Sequence, residues 1–420
     1  MNEPPRGRQP GTANQRACLV CGRSGLTEII SLGRMPLANA LVTERNLTEQ
    51  EKTFPLDLAF CSHCTLVQIT ESVPPEDLFM EYPYFSSYSE TMVREAETLV
   101  ARMVEQQELG SRSLALEVAS NDGYLLQHYV GHGVKVLGID PAANVAQVAV
   151  KKGIPTIVRF FGPDVAAELR AEGRQADILH ANNVLAHVPD VNGFVAGIAT
   201  VLKENGIAVI ETPYVKNLVD GVQFDTIYHE HRFYYSLSAL TKLFERNGLA
   251  IVDAETIPIH GGSLRVFAAA GSIEPRRSVR DLLSRERDEG LQSASYYLDF
   301  ALRVELLKDQ LTSLLADLKG EGKRIAAYGA AAKGSVLLNF MHLGTETIDY
   351  VVDHTPYKQG RYMPGVRIPI VPPTKLLEDM PDYVLVLAWN FVDEILAKES
   401  EYRDRGGRFI IPLPEPVVAR

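Results

Sequence analysis

No cysteine occurs after Cys64, no run of lysine and arginine forms a block, and no apolar stretch reaches the roughly 18 residues of a bilayer-crossing helix. Each absence removes a class of protein. Without cysteines in its bulk, the chain is not a disulfide-stapled secreted scaffold. With 53 acidic residues against 42 basic ones, it lacks a surface built to neutralise phosphate backbones, so no nucleic acid partner is expected. No membrane association is expected either. The first seventeen residues, MNEPPRGRQPGTANQRA, lack the apolar core of a secretory signal and read as a loose, disordered tail. A soluble, cytoplasmic protein is the expectation. At 420 residues the chain exceeds what one core organises, so two large domains, or two plus a small one, are expected.

What cysteine there is forms two CxxC pairs, Cys18-Leu-Val-Cys21 and Cys61-Ser-His-Cys64. Each pair places two thiolates on one turn, and two such turns facing each other make a tetrahedral sulfur cage suited to zinc. Disulfides are the alternative, disfavoured in the cytoplasm, and a redox motif needs only one pair. Four sulfurs fill the coordination sphere, so the metal is expected to hold a fold and not to do chemistry. His63 is expected to be a solvated loop residue. The 39 residues between the pairs exceed a compact zinc ribbon, and the hairpin between them must carry extra structure.

From Ser113 the pattern becomes strand, glycine-bearing turn, helix, strand, acidic residue, helix. The turn EVASNDGY carries one glycine, Gly123, where a dinucleotide fingerprint wants three, so NAD is disfavoured. Asp140 ends the second strand, where its carboxylate serves either a ribose or a helix N-terminus. Together with the ASNDG turn it resembles the S-adenosylmethionine site of class I methyltransferases. The next strand and polar loop, with Asn182, Asn183 and His187, and the strand ending in ETP continue that likeness.

Asp281 to Lys319 reads as a long, mostly helical stretch bridging the halves. KRIAAYGAAAKGSVLLNF then opens a second parallel α/β unit. Its Gly329–Gly334 turn, with Lys333, fits either an anion at a helix N-terminus or a tight packing turn.

One segment has no explanation in apolar periodicity: DTIYHEHRFYYSL, Asp225 to Leu237. Imidazoles, a carboxylate and phenols at this density place several proton-transfer groups side by side. Histidine accepts a proton near neutrality, and Glu230 or Glu211 is expected to fix its tautomer. A regular strand would point Tyr228 and His231 to opposite faces, whereas one turn brings them together. The spacing predicts an irregular turn feeding a helix that starts near Ser236 or Ser238 and ends at Gly248.

With these pieces in order, the chain resembles the sugar C-methyltransferases of antibiotic biosynthesis, which methylate C3 of nucleotide-linked 4-keto deoxyhexoses. The likeness runs from Cys18 through EYPYFSSYS (Glu81–Ser89), EVASNDGYLL, NNVLAHVPD, YHEH, IHGGSLRV (Ile259–Val266), YGAAAKG and VVDHTPYKQGRYMPG. It implies a class I methyltransferase Rossmann-like sheet, a small N-terminal four-cysteine zinc domain and a second, C-terminal Rossmann-like α/β domain. The expected limits are 18–80, 81–275 and 276–420. It implies His231 as base, with Tyr228, Glu230, His187, His229 and Tyr82 around it. Glu117, Ala119, Ser120, Asn121, Gly123, Tyr124, Asp140, Pro141, Asn182 and Asn183 would hold S-adenosylmethionine. Tyr84, Ser86, His260, Arg265, Tyr328, Gly329 and Lys333 would meet a nucleotide-linked keto-deoxysugar, dTDP being the expected nucleotide. A monomer or weak homodimer is expected. The rival readings are a nicotinamide-dependent oxidoreductase of nucleotide sugars and a non-catalytic S-adenosylmethionine- or nucleotide-binding scaffold.

Overall fold

A computed structural model describes residues 16–71, 73, 86–271 and 273–419. The expected tail therefore lies outside them up to residue 15. The chain forms two compact units. One takes the described residues before Val73, together with 215–231 and those from Gly290 onward; the other takes Val73–Tyr214 and Arg232–Glu289. Residues 215–231 thus group with the first unit.

In the first unit, β1 (Leu26–Pro36) and β2 (Thr53–Cys61) pair antiparallel, and β3 (Val67–Ile69) continues antiparallel to β2. Two register shifts let the longer β1 match β2, the second passing through Gly33 at φ +83°, a conformation glycine adopts without steric cost. A 3-10 turn at Glu44–Asn46 lies in the connection. This is the extra structure that the spacing between the CxxC pairs demanded.

The second unit is built on a sheet of seven strands. These include β4 (Leu114–Val118), β5 (Lys135–Ile139), β6 (Thr156–Ile157), β7 (Ala176–Asn182) and β8 (Leu202–Pro213). After a two-residue strand, β9 (Phe233–Tyr234), come β10 (Leu249–Ile257) and β11 (Ser263–Ala270). The order is β10-β11-β8-β7-β4-β5-β6, parallel from β8 to β6, with β11 antiparallel to β8 and β10 antiparallel to β11. β4 is buried from Ala115 to Val118, as a strand covered on both faces should be. Helix Glu90–Gln106 is capped by Ser89 and buries Ala96, Leu99, Val100 and Met103, the i, i+3, i+4, i+7 stripe of an amphipathic helix. Burial of Leu99, Val100 and Met103 contributes about 1.5–3 kcal/mol for each.

Returning to the first unit, β12 (Ile325–Tyr328), β13 (Val351–Val352), β14 (Ile370–Val371), β15 (Tyr383–Val386) and β16 (Arg408–Ile411) are parallel, and β17 (Val417–Ala419) is antiparallel to β16. The order is β14-β13-β12-β15-β16-β17. The long helical stretch expected over Asp281–Lys319 is two helices, Arg277–Asp288 and Ala294–Gly320. Gly290 at φ +85° ends the first, and the Ser293 side chain caps the second. No helix among the described residues is long and apolar enough to cross a membrane.

Candidate active site

The four cysteines come together. Their sulfurs lie within 4.8 Å of one another, with Cys18–Cys64 at 3.4 Å and Cys21–Cys61 at 3.6 Å. Four thiolates at zinc–sulfur distance in a tetrahedron sit about 3.8 Å apart, so the cage fits zinc. The two turns are built alike. The amide of Gly22 donates to Cys18 and that of Thr65 to Cys61, and both residues adopt positive φ. Thr65 tolerates this with its hydroxyl on the Cys64 carbonyl, 2.6 Å away. His63 is exposed, its Nδ1 3.2 Å from Arg23, as expected of a loop residue.

At the C-terminal ends of β4, β5 and β7, in the second unit, a polar cluster is buried. Ala119, Asn121 and Gly123 take positive φ, winding the turn tightly. A Cβ on Gly123 would lie 2.3 Å from Ile154 Cδ1, and one on Gly138 would lie 2.5 Å from Ser120 Oγ. Asp140 ties the two strand ends together: Oδ2 accepts from Asn121 N and Oδ1 from Ala142 N, both at 2.8 Å. Asn121 Oδ1 in turn accepts from Ser86 N at 3.0 Å. Asp122 accepts from Ser87 Oγ and Lys152 Nζ. Burial, then the neighbouring Asp140 and Asp122, pushes the fully buried Glu117 carboxyl well above the usual range. Glu117 Oε2, Ser120 Oγ, Asp122 Oδ1, Asn182 Oδ1 and Asn183 Oδ1 are buried with no protein hydrogen-bond partner. Buried polar atoms are satisfied in stable folds, so this cluster is built for a ligand carrying donors and positive charge.

The YHEH segment, in the first unit, is the irregular turn the spacing predicts, and helix Leu237–Arg246 follows with Ser236 as its N-cap. His231 N donates to Tyr228 O at 2.8 Å, and this turn stacks the two rings with centroids 4.0 Å apart. His231 Nδ1 lies 3.0 Å from the Thr226 carbonyl and Nε2 lies 2.8 Å from the Tyr228 hydroxyl. A carbonyl only accepts, so Nδ1 carries the proton and Nε2 of the neutral ring keeps its lone pair. The expectation that Glu230 or Glu211 fixes this tautomer is corrected: a backbone carbonyl does. Glu230 instead accepts from Asn39 Nδ2 at 2.7 Å, and burial pushes its carboxyl up to about 7. His229 points elsewhere. It is buried against Phe54, donates from Nε2 to Pro55 O at 3.1 Å, and burial lowers its pKa.

Against this geometry, three family models match in order: a zinc binding domain at 18–79, a methyltransferase domain at 88–254 and a C-methyltransferase C-terminal domain at 258–414. The C-methyltransferase NovU of Streptomyces niveus is 38% identical over 403 residues, 96% of either chain. The chain belongs to the C-methyltransferase family. It is an S-adenosylmethionine-dependent C-methyltransferase with a zinc-binding domain. The ubiquinone biosynthesis O-methyltransferase of Bartonella quintana is 24% identical over 33% of this chain and 60% of its own length. That of Rhodopseudomonas palustris strain HaA2 is 31% identical over 23% and 38%. The likeness to O-methyltransferases thus spans a fraction of the chain, and the likeness to the C-methyltransferase spans nearly all of it.

The remaining expected site residues of this C-methyltransferase divide clearly. His187 is half-buried on the loop after β7, which is fixed when Arg232 N donates to Ala186 O and the Tyr235 hydroxyl donates to Leu185 O. Ser86 is buried beside the Asn121 turn, Tyr124 is buried in the core below it, and Pro141 follows Asp140. Tyr82 and Tyr84 lie outside the described residues, as does the side chain of His260. Arg265, expected as a substrate ligand, is buried among carboxylates. It sits in one rung of the sheet between its register partners, with Nη2 3.1 Å from Glu211 and Nη1 2.8 Å from Glu255. Removing one member of such a buried set leaves a charge uncompensated.

At the second α/β turn, expected to fit either an anion or tight packing, the backbone is closely packed. A Cβ on Gly329 would lie 2.7 Å from Ala388 Cβ, and one on Gly334 would lie 2.9 Å from Leu387. The Ala330 amide donates to Asp353 Oδ2 at 2.8 Å, the place an anion would take. The Tyr328 hydroxyl donates to Glu399 at 2.9 Å and lies 2.8 Å from His354 Nε2. Lys333 is held on Asn390 at 2.9 Å.

Sequence reasoning missed the residues that place these groups. Glu286, fully buried, accepts from Leu237 N, Ser238 N, Ser238 Oγ and the Tyr214 hydroxyl at 2.6–2.8 Å. Tyr214, Leu237, Ser238 and Glu286 all belong to the second unit. Asn39, Thr226 and Asp225 are likewise anchors, and only Asp225 carried a signal, as a lone acid inside the histidine-rich stretch.

Proposed function

We propose that this C-methyltransferase methylates C3, next to the C4 ketone, of a nucleotide-linked 4-keto-deoxysugar, with dTDP the expected nucleotide and antibiotic deoxysugar biosynthesis the setting. His231 is the base. The observation that carries this reading is the Thr226–His231–Tyr228 arrangement, a neutral imidazole with a lone pair on Nε2 and a phenol beside it. Nε2 takes the C3 proton, and the electron pair left on carbon spreads onto the C4 oxygen. Tyr228, which donates to Nε2 at rest, turns its hydroxyl to that oxygen, with His187 and Tyr82 as further donors. Glu230, with its carboxyl near 7, is protonated in part at neutral pH and donates or accepts at a sugar hydroxyl. Tyr84, Ser86 and His260 complete the substrate contacts. S-adenosylmethionine would supply a methyl on positively charged sulfur for the carbon's electron pair, with S-adenosylhomocysteine as the leaving group.

Glu117, Ala119, Ser120, Asn121, Gly123, Tyr124, Asp140, Pro141, Asn182 and Asn183 would hold that cofactor. The buried acids Glu117 and Asp122 suit its cationic amino-acid end, and Asp140, whose oxygens each keep a free lone pair, suits the ribose. Residues 18–80, 81–275 and 276–420 are taken as the zinc, methyltransferase and C-terminal parts, with 215–231 serving as the base-bearing insert. In the test, His231→Ala lowers turnover about 10²–10⁴-fold while S-adenosylhomocysteine binding by calorimetry stays unchanged. In deuterated water the wild type exchanges the C3 proton of the keto-sugar without cofactor, and the variant does not. Full turnover by His231→Ala would end the reading.

A further inference from the structure

We infer that Trp389 and Asp225 are positioning residues that fix the tautomer of His231 by locking the backbone carbonyl of Thr226, so that the C-terminal segment takes part in catalysis without touching the reacting atoms. The inference deepens the reading of His231 as base and rests on it.

Everything His231 needs to be a base depends on one carbonyl, Thr226 O, 3.0 Å from Nδ1. Thr226 ends a 3-10 turn of only three residues, Phe224–Thr226, whose N-cap Gln223 makes no side-chain cap. Such a turn has poor internal hydrogen-bond geometry, and here Thr226 N and Oγ1 both return to Gln223 O, at 3.1 and 2.7 Å. Its further anchors come from the far end of the chain. Asp225 is fully buried, and its Oδ2 accepts from the Trp389 indole N–H at 2.7 Å. Phe224, also fully buried, packs on Phe340 with ring centroids 5.2 Å apart. Trp389 is held in its turn: the Lys333 ammonium lies 4.5 Å from its ring centroid and donates to Asn390 Oδ1 at 2.9 Å.

Charge fits the same picture. Asp225 and Lys333 share one buried region and oppose each other's charge; burial pushes Asp225 up to about 7, Lys333 pulls it back, and burial lowers Lys333. Lys333 is therefore spent on this joint. The sequence holds a single tryptophan, and it is this one. A phenylalanine would fill most of its volume and keep the face Lys333 rests on, but would leave Asp225 Oδ2 without its donor. Asp225 would then keep only the backbone amides of Asp225 and Thr226 as donors, and the turn that sets the Thr226 carbonyl would lose its tie to Trp389. A neutral acceptor on Nδ1 also suits a base, because it selects the tautomer without the rise in imidazole pKa that a carboxylate brings.

The test uses the full-length, zinc-loaded chain with ¹⁵N-labelled histidine. Long-range proton–nitrogen spectra read the His231 tautomer without substrate, and steady-state kinetics are run beside them. Trp389→Phe is expected to spread His231 over both tautomers and to lower kcat about tenfold to hundredfold, with KM and S-adenosylhomocysteine affinity within about twofold. Asp225→Asn, whose amide oxygen still accepts from the indole, keeps the Nδ1–H tautomer and kcat within about threefold, while Asp225→Leu behaves as Trp389→Phe does. If Trp389→Phe does not fold, the contrast between Asp225→Asn and Asp225→Leu decides. An unchanged Nδ1–H tautomer in the variants that lose the bond overturns the inference. Full turnover by His231→Ala sinks the base assignment instead, and leaves the tautomer result to be judged separately.

Discussion

Two turns in this protein have the same local plan, strand, short glycine-bearing turn, helix, on two parallel sheets, and they are finished in opposite ways. After β4, the turn through Ser120 and Gly123 leaves Glu117 Oε2, Ser120 Oγ and Asp122 Oδ1 buried with no partner in the chain. After β12, the turn through Gly329 and Gly334 closes on itself. Asp353 takes the Ala330 amide, Lys333 takes Asn390, and both glycines press on Leu387 and Ala388. Topology offers a ligand site at the end of every such strand, and the balance of unsatisfied polar atoms decides whether the site is kept. One turn leaves polar atoms open, and the other closes on its own residues.

The two turns should part most widely at the aspartates that occupy equivalent places. Asp140→Ala releases the amides of Asn121 and Ala142, removes the carboxylate proposed to meet the ribose, and should weaken S-adenosylhomocysteine binding about a thousandfold by calorimetry, since hydrogen bonds to a charged group contribute about 1.5–3 kcal/mol each. Asp353→Ala releases Ala330 N and Thr355 N in the same way, yet should leave that affinity within about twofold while lowering the melting temperature. Equal losses of affinity in both would show that the second turn is also a receptor.

Alanine at the glycines probes the same contrast at smaller cost. Gly123→Ala and Gly329→Ala each add a Cβ at positive φ, 2.3 Å from Ile154 Cδ1 and 2.7 Å from Ala388 Cβ respectively. Each should cost about 2–4 kcal/mol in denaturant unfolding, and only Gly123→Ala should also weaken cofactor binding.

The smallest effect is a pH dependence in the unit that carries the closed turn. Glu230 has a folded pKa of about 7, raised by burial and moderated by Asn39. Its unfolded value is about 4.3, so the folded state binds more protons between these values. Its contribution to stability is full below about 4.3 and is lost as pH rises through 7. Glu230→Gln should flatten that part of the stability–pH curve by about 1 kcal/mol in thermal or urea unfolding, allowing for solvent screening. An unchanged slope would place the titration elsewhere.

Within each region, the order of residues alone settled what short-range geometry settles. Two CxxC turns dictate where four sulfurs can go because each turn spans only four residues, and apolar runs such as Leu114–Val118 dictate strands because both faces must be covered. The turn at Tyr228–His231 was legible for the same reason, as only a turn brings residues three apart onto one side. The partners came from the folded chain. Asn39 and Glu230 are 191 residues apart, and Asp225 and Trp389 are 164 apart. Arg265 spends its charge on register partners that only the sheet order supplies. A buried polar group accepts whichever donor the fold delivers, and no local pattern records a donor brought from so far along the chain.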